Sequence, residues 1–255
     1  MTASLREIKV YTTFPHRCSY LEGEEATTLF VDPRQKLSRE LYTQLSLLGF
    51  RRSGDHVYRP HCARCNACIA SRVNVSAFVP GKSQRRVSRM NRDLRIETSE
   101  HIADDEAFFL YRDYIESRHA DGDMYPPERE QYESFLNDGL DCAIFYRMYL
   151  EDRLVGVTVA DHMLDGLAAI YTFFDPSLPE RSLGTEAILV QIRQARALGL
   201  PYVYLGYWID ECRKMAYKAR FQPLELFIDG QWQSHKTERE KGPDTADLVQ
   251  LLDAT

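Results

Sequence analysis

The sequence predicts an α+β protein in which a small mixed N-terminal domain precedes a larger, mainly antiparallel sheet flanked by helices. Three observations support this prediction: a length of 255 residues, an apolar content of 44%, and the order of apolar patterns along the chain. The length suits two modest domains, and the apolar content is sufficient to bury a core. A change of pattern near residue 80 predicts an N-terminal, cysteine-containing domain over 1–80 and a second domain over 99–235.

The N-terminal domain combines short strand-like runs with one helix. Runs such as TTLFVD alternate with turn residues, and SRELYTQLSLLGF places Leu41, Leu45 and Leu48 at helical spacing. Ser38 precedes this run and has the side chain of a typical N-cap. The pattern therefore predicts a helix that begins just after Ser38.

The second domain begins with a helix and continues with strands. In DDEAFFLYRDYIESRHADG, the residues Phe108, Tyr111 and Ile115 fall on one helical face. The runs that follow are rich in β-branched and aromatic residues and are separated by turn residues at 151–152 and 165–166. Together they predict a meander of three antiparallel strands.

A second helix and a further strand follow the meander. SLGTEAILVQIRQARALG places Ile188, Ile192 and Ala195 on one stripe, and Pro201 opens the strand-like run YVYLGYW. The chain ends in a tail rich in Lys, Glu and Asp over 236–255, which we expect to be only partly ordered.

Composition and charge exclude several classes of protein. The net charge of −6 argues against general coating of nucleic acid, so any such contact must be local. The N-terminus lacks a basic segment followed by an apolar run, and no stretch approaches the roughly 20 apolar residues that span a bilayer. We therefore expect a cytoplasmic protein without membrane contact.

Cysteines 62, 65 and 68 stand at three-residue intervals in RPHCARCNACIASR. A tetrahedral zinc site needs four ligands and an iron–sulfur cluster needs four thiolates, so the fourth position would fall to Cys18 or His61. Cysteine is also among the residues most often buried for packing alone. Between these interpretations we favour packing, and we expect no bound metal or other cofactor.

A basic segment spans residues 81–98. Between residues 82 and 95 it contains six cations against the single acid Asp93, and in a helix Arg85, Arg89 and Arg92 would lie on one face. The alternative is an ordinary solvated face. Because so dense a basic segment stands in an acidic protein, the pattern favours a phosphate backbone as its partner.

Two cationic clusters have the chemistry of anion recognition. Arg118 and His119 end a predicted helix, where the helix dipole alone would favour cations. Lys214 and Lys218 are spaced i, i+4 beside Tyr217, directly after the last predicted strand, so a helix would place them on one face. Both clusters are candidates for binding an anionic substrate group.

Asp161 lies inside the apolar run GVTVADHM. Burying a polar group without a hydrogen bond costs on the order of 2–7 kcal/mol, so a carboxylate in a buried strand must be paired or hydrogen-bonded. The residue is therefore either the structural partner of a buried cation or a catalytic group, and the sequence does not decide between the two.

Taken together, several segments resemble one family. These segments are CSYL, YRPHCARCNACIASRV, SQRRVSR, YIESRH, IYTFFDP, SLGTEAIL and LGYWIDECRKMAYKARFQPLE. In this order they are similar to the bacterial aspartate/glutamate leucyltransferases, relatives of the eukaryotic arginyl-tRNA-protein transferases, from about residue 10 to 232. The resemblance implies an acetyltransferase-like (GNAT-related) domain that transfers leucine from leucyl-tRNA to proteins beginning with Asp or Glu, creating an N-degron. The CxxC of the eukaryotic members is here Cys18 followed by Leu21, a departure from their proposed metal-binding pattern.

An aminoacyl ester is already activated, so the transferase needs only positioning and a proton acceptor. We expect Asp161 to act as the base or orienting group on the amine side, and Tyr171 to donate to the developing oxyanion. The basic segment would hold the tRNA through Arg85, Arg86 and Arg89. Trp208 would stack on its terminal base, unless it belongs to the core.

The acidic side chain of the acceptor would require a cationic pocket. We expect Arg118, His119, Lys214 and Lys218 to form it, because an unpaired cation there would disfavour the neutral amides Asn and Gln.

Two alternatives remain at this stage. An acetyl-CoA-dependent acetyltransferase of the same fold would use RSLGTEAIL as a degenerate pyrophosphate loop, although such loops contain more glycine than the single Gly184. A non-catalytic, zinc-dependent RNA-binding module would use the cysteines and the arginines, but it leaves Asp161 and the two lysines without a role.

Overall fold

The computed structural model describes residues 5–122, 124–136 and 141–235. The charged tail predicted over 236–255 lies outside the described residues. None of the helices in the described ranges is both long and apolar enough to cross a bilayer.

The secondary structure is as follows. The strands are β1 (Val10–Thr12), β2 (His16–Arg17), β3 (Glu25–Ala26), β4 (Thr28–Val31), β5 (Arg51–Ser53), β6 (His56–Pro60), β7 (Ile69–Asn74), β8 (Leu94–Ser99), β9 (Ala143–Leu150), β10 (Arg153–His162), β11 (Gly166–Phe174), β12 (Tyr202–Trp208), β13 (Leu224–Ile228) and β14 (Gln231–Ser234). The helices are α1 (Arg39–Leu47), α2 (Lys82–Met90), α3 (Asp105–Arg118), α4 (Arg129–Leu136), α5 (Leu183–Ala197) and α6 (Arg213–Ala216). Short 3₁₀ turns cover Leu5–Glu7, Pro179–Arg181 and Tyr217–Arg220.

The strands form one large and two small sheets. The large sheet has the order β14-β13-β7-β12-β11-β10-β9-β8, and the small ones have the orders β1-β4-β6-β5 and β2-β3. Within the large sheet, β11 and β12 are parallel and the other described neighbours are antiparallel. This confirms the predicted α+β, acetyltransferase-like class with a mainly antiparallel mixed sheet flanked by helices.

The predicted meander is confirmed as β9, β10 and β11. Its first turn is the two-residue connection 151–152, where Glu151 adopts a positive φ of 55°. Helix α5 then returns the chain to the sheet, and Ile188, Ile192 and Ala195 of its predicted stripe are buried. A parallel neighbour requires such a crossover, which explains why α5 lies between β11 and β12.

The predicted helix after Ser38 is confirmed as α1. The Ser38 side chain accepts a hydrogen bond from the backbone N–H of Leu41, and Leu41 and Leu45 are buried. Leu48 was predicted on the same face but is 43% exposed, because the helix ends at Leu47 and the backbone has already turned away.

Helix α3 follows its predicted pattern closely. Asp104 caps its N-terminus by accepting from the N–H of Ala107, and Tyr111 and Ile115 are fully buried. Phe108 is only partly buried at the edge of the core. The face predicted from spacing therefore covers the sheet.

The N-terminal residues share the large sheet with the rest of the chain. Strand β7, from the range predicted as a separate domain, lies between β13 and β12. Tyr42 and Leu45 of α1 also join the core cluster that contains Tyr111 and Ile115. The described sheets therefore do not divide at residue 80, and the domain limits themselves remain a prediction.

Candidate functional site

The parallel strands β11 and β12 separate soon after they meet. Their pairing covers only Gly166–Ala168 of β11 against Tyr202–Tyr204 of β12. The pairing of β12 with β7, on its other side, then shifts register between Tyr204 and Gly206. The resulting opening has a volume of about 20 Å³, which is room for about one water molecule. It is lined by Arg51, Ala169, Gly206 and Tyr207, among others, and is called the cleft below. Ligands bind at such openings beyond the carboxyl ends of parallel strands.

Arg51 of β5 extends from the small sheet into the cleft. Its Nη2 donates to the backbone oxygens of Ala169, at 3.3 Å, and Ile170, at 3.0 Å. Gly206 has a φ of +74°, and a Cβ built on it would lie 1.5 Å from Arg51 Nη1. The glycine therefore serves two purposes: it permits the left-handed backbone and leaves room for the guanidinium.

A second cationic side chain, that of Lys218, lies near Arg51. Lys218 is 3% exposed, and its ammonium donates to the Tyr207 carbonyl and contacts Met215 Sδ at 3.1 Å. Burial, and next the charge of Arg51, lower the pKa of Lys218 to about 7. In the part of the chain that the structure describes, neither side chain forms an ion pair with a carboxylate.

The cleft adjoins a larger cavity of about 620 Å³. Gly49, Ala70 and Tyr207 line both spaces. The Tyr207 hydroxyl is within hydrogen-bonding distance of the carbonyls of Gly49, at 3.0 Å, and Tyr58, at 3.1 Å, which fixes the ring between the two sheets. The cavity and the cleft therefore share a wall at these three residues, and Arg51 lines the cleft side of it.

Four cysteines line this cavity, which we call the cysteine cavity: Cys18, Cys62, Cys65 and Cys68. Burial, and next the neighbouring thiols, raise the pKa of Cys68 to about 12, which disfavours the thiolate that binds metals. In the described ranges, no three His, Cys, Asp or Glu side chains are arranged to hold one ion. The absence of a cofactor remains a prediction.

The sequence left two roles open for Asp161, and the structure shows it as the partner of a buried cation. Its Oδ2 and Oδ1 each lie 2.7 Å from Arg52, accepting from Nε and Nη2, and the Tyr42 hydroxyl donates to Oδ2 at 2.9 Å. The Asp161 and Arg52 side chains are both fully buried. Because both carboxylate oxygens are occupied, the geometry does not support the predicted role of Asp161 as a base.

Tyr171 lies on β11 opposite Val159, whereas Asp161 pairs with Ala168. The two predicted catalytic residues therefore do not face each other directly. The Tyr171 hydroxyl is buried without a hydrogen-bond partner among the described residues, and burial raises its pKa. Its assignment as an oxyanion donor stays a prediction.

The predicted acid-binding residues separate into exposed and buried groups. Arg118 and Lys214 are exposed and both lie near His119, whose pKa is lowered chiefly by burial and then by the charge of Lys214. Lys218 is instead buried, with its ammonium on the Tyr207 carbonyl. The prediction that Lys214 and Lys218 share a face is wrong, because α6 ends at Ala216 and a tighter 3₁₀ turn follows.

The basic segment forms α2 and the start of β8. Arg85, Arg86 and Arg89 are exposed, and none pairs with a carboxylate among the described residues. Arg92 was predicted on the same helical face but lies beyond the helix end at Met90. Gln84 donates from its side chain to the Arg220 carbonyl, which attaches α2 to the turn that carries Lys218.

Trp208 lies at the end of β12 opposite Ile69 and is partly buried against the core that contains α5. Its ring centroid is 4.9 Å from that of His235, and its Nε1 is buried without a partner in the described chain. This placement corresponds to the core alternative, so the structure offers no support for stacking on a tRNA base.

The sequence reasoning missed Arg51 and Arg52. The dipeptide follows Phe50 in the short run GFRRSG, which has no periodicity long enough to mark a buried strand. The available signal was the alternation of strands, which sends adjacent side chains to opposite faces. That signal predicts two different environments for the two arginines but not which partners they meet.

The mixed sheet flanked by helices gives the fold, and comparison with known families gives the class of protein. Two family models match the chain: the N terminus of arginine-tRNA-protein transferase over residues 16–86, and its C terminus over residues 106–228. The chain therefore belongs to the arginine-tRNA-protein transferase family and is an aminoacyltransferase.

Close relatives carry a more specific name. Aspartate/glutamate leucyltransferase of Marinobacter nauticus is 52% identical over 92% of this chain and 100% of its own length. The enzymes of that name from Pseudomonas paraeruginosa and Alcanivorax borkumensis are 51% and 50% identical over 89% and 93% of this chain, and over 97% and 98% of their own lengths. Among solved structures, FemX covers 79% of this chain and 80% of its own at 10% identity, with a TM-score of 0.43, too low to support an inference.

Proposed function

We propose that this protein transfers leucine from leucyl-tRNA to the α-amino group of proteins whose first residue is Asp or Glu. The observation that supports the proposal is the 52% identity, over 92% of the chain, to an enzyme named for this activity. The product would carry an N-terminal leucine that serves as a degradation signal, and the reaction would take place in the cytoplasm, where aminoacyl-tRNA is available.

The reaction joins an amine to an activated ester. The acceptor nitrogen forms a bond to the leucyl carbonyl carbon, the ester C–O bond to the tRNA breaks, and the terminal ribose hydroxyl leaves with a proton. Because the ester is already activated, the protein need not supply a nucleophile. The acceptor α-ammonium, with a pKa of about 8, must first lose its proton.

Lys218 is the candidate proton acceptor in place of Asp161. Burial, and next the charge of Arg51, lower the pKa of Lys218 to about 7, which lets a fraction of the amine be neutral at physiological pH. Asp161 is occupied by Arg52 and Tyr42. The unpartnered Tyr171 hydroxyl supports its predicted role as a donor to the oxyanion, since a buried hydroxyl without a partner is costly unless a ligand satisfies it.

The tRNA would bind along α2. Arg85, Arg86 and Arg89 are exposed and unpaired with acids in the described chain, so they are available to phosphates. Arg220, also exposed, lies beside α2 and extends the basic surface toward the turn that carries Lys218. The proposed tRNA-binding surface would then extend from α2 to the turn that carries Lys218.

The acetyl-CoA alternative is weakened by the position of Gly184. A Cβ on Gly184 would lie 3.2 Å from a ring carbon of Phe174, so the glycine serves the packing of α5 on β11. In a pyrophosphate loop, by contrast, glycine would let the backbone approach the phosphates.

The test is incubation of the purified protein with labelled leucyl-tRNA, or with labelled acetyl-CoA, and a peptide that begins with Asp. We expect incorporation of leucine from leucyl-tRNA and no acetylation. Acetylation without leucine incorporation would contradict the proposal.

A further inference from the structure

We infer that Arg51 binds the side-chain carboxylate of the acceptor's first residue and thereby selects proteins that begin with Asp or Glu. The inference rests on the proposed function and assigns its acceptor specificity to a residue outside the clusters that the sequence indicated.

The first step is the unpaired charge of Arg51. A guanidinium has five N–H groups, and only Nη2 has acceptors among the described residues, the carbonyls of Ala169 and Ile170. Those neutral carbonyl oxygens orient the guanidinium but do not neutralise its positive charge. Arg51 is half-buried, and neither its Nε nor its Nη1 is among the described buried polar atoms that lack a partner, so both remain accessible to a ligand. A carboxylate would satisfy them with charge-assisted hydrogen bonds.

The second step is the construction around Arg51. Its guanidinium occupies the space that a Cβ of residue 206 would take, in a strand whose register has just shifted. Two backbone carbonyls of β11 hold it on the other side. The side chain is therefore held in a fixed position between two strands, as preorganised binding of a carboxylate requires.

The third step is access. Gly49, Ala70 and Tyr207 line both the cleft and the cysteine cavity of about 620 Å³, a volume suitable for a peptide end. Arg51 lines the cleft and not the cavity, so an acceptor N-terminus in the cavity would present its carboxylate to Arg51 where the two spaces share Gly49, Ala70 and Tyr207. Lys218 lies behind this wall, with its ammonium on the Tyr207 carbonyl.

The fourth step compares Arg51 with the other cations. Arg118 and Lys214 are exposed, so water and salt screen their charges and reduce any discrimination between a carboxylate and an amide. Lys218 is partly neutral near pH 7. Arginine remains charged at every physiological pH and binds a carboxylate through two parallel hydrogen bonds, which an amide cannot reproduce.

The experiment measures leucine incorporation into two peptides that differ only in their first residue, Asp or Asn. In Arg51→Met, we expect kcat/KM for the Asp peptide to fall about 10-fold to 100-fold while the Asn peptide changes little, so that the preference is lost. Leucyl-tRNA affinity, measured by filter binding, should stay within about twofold of wild type because α2 is unchanged. Arg118→Met and Lys214→Met are the matched controls, and each should keep the wild-type preference.

Two further variants keep the test decisive if Arg51→Met does not fold. Arg51→Lys preserves the charge without the bidentate geometry and should retain only part of the preference. Gly206→Ala leaves Arg51 in the chain but displaces its guanidinium, and it should reduce the preference as Arg51→Met does. Thermal melting of each variant reports whether it is folded.

The outcomes separate this inference from the proposed function. Wild-type protein that transfers no leucine to the Asp peptide contradicts the proposed function. Wild-type transfer combined with an unchanged Asp-over-Asn preference in folded Arg51 variants contradicts the inference alone. An equal loss of rate with both peptides also contradicts it, because that result assigns Arg51 to the transition state or to folding.

Discussion

Two adjacent arginines of β5 show how differently one residue type is used in this molecule. Arg52 is 1% exposed, and its Nε and Nη2 bind the two oxygens of Asp161 while Nη1 donates to the Gly54 carbonyl at 2.6 Å. Arg51 points to the opposite face, where its hydrogen bonds to described residues go to the carbonyls of Ala169 and Ile170. The available partners, and not the residue type, therefore decide whether a cation serves stability or recognition.

The difference has an energetic basis. The Arg52–Asp161 pair is complete: two charges neutralise each other through a bidentate contact, and Tyr42 satisfies a further acceptor position of the carboxylate. Removing either charge leaves the other buried and uncompensated. Arg51 keeps donors that no described residue satisfies, so its removal should affect ligand binding more than folding.

The largest expected effect comes from breaking the buried pair. Asp161→Asn or Arg52→Met should lower the free energy of unfolding by about 3–5 kcal/mol, because each leaves an unpaired buried charge or loses its bidentate partner. Urea denaturation measures this loss. The double variant Arg52→Met/Asp161→Leu should be more stable than either single variant. An Asp161→Asn protein that keeps its stability but loses transfer would instead assign Asp161 to catalysis.

Exposed arginines provide a third case beside Arg51 and Arg52. Reversing the charges of Arg85, Arg86 and Arg89 to Glu should weaken leucyl-tRNA binding and reduce its salt dependence by about one unit of log–log slope for each lost phosphate contact. Stability should change little, since the three side chains are exposed. Filter binding across a salt series measures the slope. An unaltered slope would show that α2 is only a solvated face.

Lys218 is a buried cation whose lowered pKa predicts a stability that depends on pH. Its pKa falls from 10.5 in the unfolded reference to about 7 in the folded protein. Below about pH 7 the Lys218 amine is protonated in both the folded and the unfolded state, so the cost of the buried charge is fully present. Between about pH 7 and 10.5 only the unfolded chain holds this proton. The free energy of unfolding therefore rises with pH, at most by about 1.4 kcal/mol per pH unit. Lys218→Met removes this dependence.

The measurement is the stability difference between wild type and Lys218→Met from pH 6 to pH 9. We expect the advantage of the Met variant to be largest at pH 6 and to shrink as the pH rises. A difference that stays constant over this range would show that Lys218 has an ordinary pKa.

A smaller effect on stability should follow from Arg51→Met, the same substitution one residue before Arg52. We expect a change of about 1 kcal/mol or less in the free energy of unfolding, since only hydrogen bonds to two carbonyls are lost. If Arg51→Met destabilises as strongly as Arg52→Met, the two arginines have the same structural role and the comparison fails.

The smallest effect is expected at the cysteines. Replacing Cys62, Cys65 and Cys68 with Ser should leave the transfer rate within a few-fold of wild type, because Ser nearly preserves the volume of each side chain that lines the cysteine cavity and we expect no thiol to act in the chemistry. Elemental analysis of the aerobically purified protein should find substoichiometric metal. One zinc per chain, or an iron–sulfur absorption band after anaerobic purification, would overturn this expectation.

The sequence by itself determined the local elements and the family. Ser38 and the spacing of Leu41 and Leu45 were enough to locate α1, and the stripe of Ile188 and Ile192 was enough to locate α5. Such patterns work because residues three or four positions apart meet on one face of a helix whatever surrounds it. The family assignment likewise needed only short motifs in their order along the chain.

The tertiary structure decided the chemistry of the site. Arg52 meets Asp161 across 109 residues and Arg51 meets Ile170 across 119, and no local periodicity encodes such contacts. The same holds for β7, which joins the large sheet from the N-terminal range, and for Lys218, whose burial depends on where Tyr207 lies. A charged side chain takes its role from burial and from its partners, and both arise only when distant segments pack together.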